Sequence, residues 1–145
     1  MPAEVTVNHV GHTVADLDRA RRFWVGAFGF EQVEELEAPD EGTSQLLDIA
    51  PPVGLHAVYL KRGDFILELL HFAKARLQPA KPRVMNEVGL THLSLSVDDL
   101  DATLEKVRSL GGTVLEESRI ANHAVLVLDP DGQRIELLTS WQKPG

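Results

Sequence analysis

The chain carries a copy of itself. The run Asn8-His9-Val10-Gly11-His12-Thr13-Val14-Ala15-Asp16-Leu17-Asp18 shares His, Val, Asp, Leu and Asp with Thr91-His92-Leu93-Ser94-Leu95-Ser96-Val97-Asp98-Asp99-Leu100-Asp101 at one offset of 83 residues. Gly29 and Gly112 keep that offset. A second match, Leu67-Glu68-Leu69-Leu70 against Ile135-Glu136-Leu137-Leu138, falls at an offset of 68. Two matches in the same order point to duplication, so the chain folds as two like modules. The first copy is 15 residues longer between its His and its Glu, and the Pro- and Gly-bearing stretch from Ala38 to Gly54 has room for them.

Each copy reads β-α-β-β-β, which makes the fold class α+β. In the first, Val5 to Val14 is rich in Val and Thr and predicts a strand. Asp16 is placed to cap a helix whose apolar stripe is Leu17, Ala20, Phe23, Trp24, Ala27 and Phe28, and Gly29 stops it. Strands are expected at 32–36, 55–60 and 65–72, the last two joined by the turn Lys61-Arg62-Gly63-Asp64. The second copy repeats the order: a strand at 90–97, a helix capped by Asp99 and stopped by Gly111-Gly112, then strands at 114–117, 124–128 and 134–139. Asp129-Pro130-Asp131-Gly132 is the turn of the last pair. The copies are 5–73 and 88–140, and 74–87 is a basic linker with Pro79 and Pro82. The acidic run from Ala38 to Ser44 is expected to be a lid or a solvated loop, and Trp141 a C-terminal anchor.

Composition narrows the function. With 145 residues, 43% hydrophobic and 25% charged, the chain fits one globular domain. Lys and Arg number 14 against 22 Asp and Glu, a net charge of −8 that disfavours nucleic acid and anionic membrane as partners. There is no Cys, which excludes disulfides, thiolate nucleophiles and Cys-based metal sites. Neither a signal-peptide pattern at the start nor a run long enough to span a membrane is present, so a cytoplasmic protein is expected.

Strand alternation decides which side chains share a face. His92, Ser94 and Ser96 fall on one face of their strand, and Arg134, Glu136 and Leu138 on one face of theirs. In the first copy His9 goes with Gly11, and Glu68 with Ile66 and Leu70. Each copy thus offers one His and one Glu to a common cavity. A Glu inside Leu-Glu-Leu-Leu or Ile-Glu-Leu-Leu costs several kcal/mol to bury unless it is paired or ligated. Two neutral imidazoles and two carboxylates balance a divalent ion and leave two octahedral positions open. His9, Glu68, His92 and Glu136 are therefore the candidate metal ligands.

The order His-x4-Val-x-Asp-Leu-Asp, helix, Gly29-Phe30, Leu-Glu-Leu-Leu, Thr-His-Leu and Asp-Pro-Asp-Gly-x3-Glu-Leu resembles the vicinal oxygen chelate superfamily of glyoxalases, bleomycin-resistance proteins and extradiol dioxygenases. The resemblance spans Val5 to Ser140. It implies paired βαβββ modules forming a curved mixed sheet around a metal site, with the four candidate ligands where glyoxalase I keeps its own. It further implies one divalent ion (Ni, Co, Mn, Fe or Zn), a homodimer, and a lyase or isomerase acting on a small substrate with two vicinal oxygens through an enediolate or enolate. Glu68 and Glu136 are then the candidate catalytic bases. Alternatives are a non-catalytic antibiotic-binding protein, an extradiol-type dioxygenase and an acyl-CoA epimerase. The full ligand set argues against the first, and the second carboxylate against the dioxygenase. The residues that bacterial glyoxalase I uses on glutathione are matched here by Thr13 and Phe72, and the epimerase's catalytic Glu by Ala57. Among the other histidines, His56 is an acid–base group if it faces the cavity, and His123 is placed to line a substrate mouth. His12 and His71 alternate away from His9 and Glu68.

Overall fold

The computed structural model describes residues 2–139 and 143–145. Ser140, at the expected end of the second copy, and Trp141 lie outside the described residues. The chain divides into two compact units, Met1–Leu17 with Gly29–Leu77, and Asp18–Phe28 with Gln78–Gly145. No helix among the described residues is long and apolar enough to cross a membrane.

In the first unit, β1 (Val10–Thr13), β2 (Glu31–Glu37), β3 (Leu55–Arg62) and β4 (Phe65–Phe72) form one sheet in the order β1-β4-β3-β2. β1 runs parallel to β4, and the other neighbours are antiparallel. Val58 and Leu60 of β3 face the core beside Leu69 and Leu67 of β4, all buried, because alternation puts these four on one face. Each such side chain contributes about 1.5–3 kcal/mol on burial.

The strand at the start of this unit is shorter than Val and Thr content predicts. Its register begins at Val10 opposite Leu67, and β4 itself begins at Phe65, so β4 offers no ladder to Val5. Val5 and Val7 are left exposed. The acidic run is not a loop. Asp40–Leu47 is a short helix, α2, broken by non-helical backbone at Glu41 and Gly42. It is tied down by the Asp40 carboxylate, which accepts hydrogen bonds from Val53 N (3.2 Å) and Gly54 N (3.1 Å) at the entry to β3.

Those two backbone N–H groups, with the nearby Lys74 ammonium, hold the Asp40 carboxyl below its ordinary value. A lowered folded-state pKa contributes stability that is complete above about pH 4 and lost as pH falls through the folded value. Asp40→Ala is therefore expected to lower the melting temperature at pH 7, with the gap to wild type closing in acid. A pH-independent gap in thermal scans would contradict this account.

The second unit repeats the sheet. β5 (His92–Ser96), β6 (Thr113–Ile120), β7 (Ala124–Leu128) and β8 (Arg134–Leu138) lie in the order β5-β8-β7-β6, again with one parallel pair. Val125 and Val127 pair with Leu137 and Ile135 on the buried face. The helix α3 (Leu100–Ser109) is capped as expected, with the Asp99 side chain accepting from Ala102 N at 3.0 Å. β5 starts only at His92, opposite the first residue of β8, so Val88 and Leu90 have no ladder and are exposed. Two four-stranded mixed sheets built on one repeated pattern make the fold α+β.

One element goes where no local pattern sends it. The helix α1 (Leu17–Phe28) follows β1 in sequence, yet all of it beyond Leu17 belongs to the second unit. Its buried Phe23 lies against Gly112 and Val107, and its Gly26 against Leu110.

Candidate metal centre

Each unit brings its His and its Glu together. In the first, His9 Nε2 lies 3.4 Å from Glu68 Oε1. In the second, His92 Nε2 lies 3.9 Å from Glu136 Oε1. His9 sits one residue ahead of β1 rather than within a strand; the other three are strand residues as expected.

The register explains the convergence. Glu68 lies opposite Gly11 in the parallel β1–β4 ladder, and Glu136 opposite Ser94 in the β5–β8 ladder. A Cβ at Gly11 would be in ordinary contact with Glu68 Oε1 at 3.6 Å and crowd Leu70 Cδ1 at 3.2 Å, so the absent side chain gives room chiefly to Leu70. Ser94 instead donates its hydroxyl to Glu136 Oε1 at 2.8 Å. Register at Glu136 is set by the preceding turn, where Asp129 Oδ1 accepts from Asp131 N (2.9 Å) and Gln133 N (2.8 Å) and Gly132 takes a positive φ of 87°. Gln133 Nε2 donates in turn to the Thr91 carbonyl (3.1 Å), just ahead of His92.

Both imidazoles are oriented by the residue before them. His9 Nδ1 donates to Asn8 Oδ1, and His92 Nδ1 bonds Thr91 Oγ1 at 2.8 Å. A neutral imidazole with its proton on Nδ1 has a lone pair on Nε2. In the first unit that lone pair then faces Glu68 Oε1; in the second, the Thr91 hydroxyl can donate to His92 Nδ1 or accept from it, and His92 Nε2 faces Glu136 Oε1. Such outer hydrogen bonds are the usual way a ligating His is held. With bonds of about 2.1 Å, ligands on one ion are roughly 3.0 Å apart at a right angle and 3.4 Å at a tetrahedral one; the first pair, at 3.4 Å, meets this and the second, at 3.9 Å, is wider. The donor sets of both units suit a divalent ion.

The two half-sites differ in their surroundings. Glu68 is buried and Tyr59, opposite it in the β3–β4 ladder, donates its hydroxyl to the carboxylate. Burial, then that hydrogen bond and the charges of Glu68 and Glu34, push the Tyr59 hydroxyl up to about 12, so it stays a donor. The Tyr59 and His9 rings also meet edge to face at 5.5 Å. Opposite Glu136 stands Leu126, with no hydroxyl to offer, and the Glu136 side chain is 34% exposed against 10% for that of Glu68. Sequence reasoning missed Tyr59. A two-residue turn at Gly63-Asp64 pairs Arg62 with Phe65, and counting back from it pairs Tyr59 with Glu68.

His56 does not join this group. It alternates to the face opposite Tyr59, where its Nε2 lies 2.7 Å from Glu35 Oε1. His71 points away from Glu68, as alternation predicts, and its Nδ1 bonds the Val14 carbonyl at 3.1 Å. His123 is exposed in the turn between β6 and β7.

Known proteins share this organisation. The chain is 37% identical to a probable lactoylglutathione lyase of Synechocystis sp. over 93% of its own length and 95% of the relative's. It is 28% identical to a 2-epi-5-epi-valiolone epimerase of Actinomyces sp. over 95% of this chain and 81% of that protein. Against the lactoylglutathione lyases of plants it spans less than half the relative's length. Its fold superposes on a glyoxalase family protein from Bacillus cereus with a TM-score of 0.80, 16% identity and 95% of each chain covered. The family model for the Glyoxalase/Bleomycin resistance protein/Dioxygenase superfamily matches residues 6–137, and the chain belongs to that superfamily.

Proposed function

We propose that the protein is a metal-dependent lyase or isomerase of glyoxalase type, acting on a small compound with two neighbouring oxygens. The observation that carries this reading is the repeated half-site, a His Nε2 set near a Glu oxygen in each unit. His9, Glu68, His92 and Glu136 together hold one divalent ion, Ni, Co, Mn, Fe or Zn, each half-site coming from one chain or from two copies. When bound, the ion supplies Lewis-acid stabilisation of negative charge on the two substrate oxygens. Glu68 and Glu136 are the groups that move the proton. A carboxylate oxygen removes it from the carbon beside the substrate oxygens. Returned to the neighbouring carbon, it completes an isomerisation; returned to the other face of the same carbon, an epimerisation. Tyr59 steadies Glu68, and Ser94 steadies Glu136. The similarity to both a lyase and an epimerase supports this shared proton transfer. The test is metal analysis of protein purified without chelator, followed by turnover of vicinal-oxygen substrates before and after chelator dialysis. Protein that neither carries nor takes up a divalent ion would refute the reading.

The reading extends to organisation: one domain with repeats 5–73 and 88–140, linker 74–87, and a homodimer as the working form. Val5 and Val7 ahead of His9, and Val88 and Leu90 ahead of His92, are exposed apolar residues at matching places in the two copies. Strand-like segments without a partner are surfaces that a second copy covers. Light scattering at micromolar concentration is expected to give twice the chain mass, and a monomeric mass would count against the dimer.

A further inference from the structure

Beside the first half-site lies a cavity of about 410 Å³. Val7, Val33, Leu36 and Ile66 give it apolar walls. Its polar lining is Asn8, Tyr59 and Glu34. Asn8 bonds His9 and Tyr59 bonds Glu68, so two lining residues of the cavity are the direct partners of the first pair of ligand residues. Glu34 stands opposite Tyr59 in the β2–β3 ladder and is solvent-exposed. No Lys or Arg lines this cavity; Lys61, two residues along β3 from Tyr59, is exposed and lies outside the lining.

We infer that this cavity selects an uncharged, hydroxyl-bearing carbonyl compound and that Glu34 excludes substrates with an anionic tail. The inference rests on the metal-dependent reading above and names its substrate class. The Asn8 amide retains N–H donors after its oxygen has bonded His9. Tyr59 retains acceptor capacity after donating to Glu68, and Glu34 only accepts. A hydroxyl can accept from Asn8 while donating its one proton to Tyr59 or Glu34. A carboxylate or phosphate can meet only Asn8 and faces like charge at Glu34. The chain's net charge of −8 has the same sign. Selectivity of this kind comes from the repulsive element as much as from the attractive ones.

The test keeps the reacting group constant and changes only the tail. Hemithioacetals of methylglyoxal with 3-mercaptopropanol and with 3-mercaptopropionate are compared on the metal-loaded protein. The neutral adduct is expected to have about tenfold the kcat/KM of the anionic one. Glu34→Gln should shrink that ratio to about two, and Glu34→Lys should invert it. A second readout is independent of turnover: calorimetric affinity for propionohydroxamic acid against succinic monohydroxamic acid, expected to favour the neutral chelator by a similar factor. Should neither thiol adduct react, this pair decides. Equal or anion-favouring values overturn the selectivity and leave the metal-dependent reading standing. A metal-loaded protein that binds neither hydroxamate overturns both, and protein that takes up no metal overturns the reading beneath them.

Discussion

Replacing Glu136 with Gln, or His92 with Ala, is expected to lower kcat/KM by about a thousandfold or more, the equivalent of roughly 4 kcal/mol of transition-state stabilisation. Affinity for the divalent ion should fall about a hundredfold or more, since even the loss of a residue that only supports a ligand costs ten- to a hundredfold. The fold should survive both changes, because the Glu136 and His92 side chains are each about a third exposed and neither belongs to the apolar core. Glu68→Gln should reduce activity as severely, with a further small loss of stability, because its carboxylate is buried and serves as the acceptor of the Tyr59 hydroxyl. The double variant Glu68→Gln with Glu136→Gln should be scarcely worse than either alone, because groups that act as one unit are not additive. Calorimetric metal titration, circular dichroism and steady-state kinetics together check this. A Glu136→Gln protein that binds the ion as wild type does would remove Glu136 from the ligand set.

The largest effect on stability is expected at Gly112. A Cβ there would lie 2.7 Å from Phe23 Cε2 and from Val107 Cγ1, and 2.8 Å from the Leu128 carbonyl oxygen. Side-chain tips can turn aside, but that carbonyl belongs to the β6–β7 ladder, in which Leu128 pairs with Thr113. Gly112→Ala should therefore cost about 2–3 kcal/mol, the upper range for overpacking a filled core. The contrast is Gly132, which has nothing within 4 Å but a φ of 87°. Gly132→Ala should cost only the backbone term, about 1–2 kcal/mol. Denaturant midpoints at constant m separate the two. If Gly112→Ala were as mild as a surface change, α1 would not be packed against the second sheet through Phe23.

Sequence alone settled what depends on near neighbours. The repeat settled the order of the strands and of the first helix in each copy, though not the extra helix α2 of the first, and β4 at 65–72 and β7 at 124–128 fall where alternation and turn residues put them. The Asp99 cap and the Asp-Pro-Asp-Gly turn formed as their side chains dictate, since each bonds backbone only a few residues away. The four ligand candidates were legible because period-two alternation and a Glu in an apolar run are both local signals. Tertiary structure decided whatever needs a partner from elsewhere in the chain. β5 begins opposite the first residue of β8, and β4 starts too late to offer a ladder to Val5 or Val7, which leaves Val5, Val7, Val88 and Leu90 outside strands that their composition favours. The acidic run is anchored from a distance, its Asp40 accepting from amides more than ten residues away. The apolar stripe on α1 announced burial without an address, since a stripe of Phe and Trp packs equally well on any complementary apolar surface, and the chosen one lies in the second unit. His56 and Tyr59, three positions apart in β3, fall on opposite faces, and pairing put the imidazole on Glu35 and the phenol on Glu68. Periodicity names the face of a strand, but only long-range pairing says what that face meets.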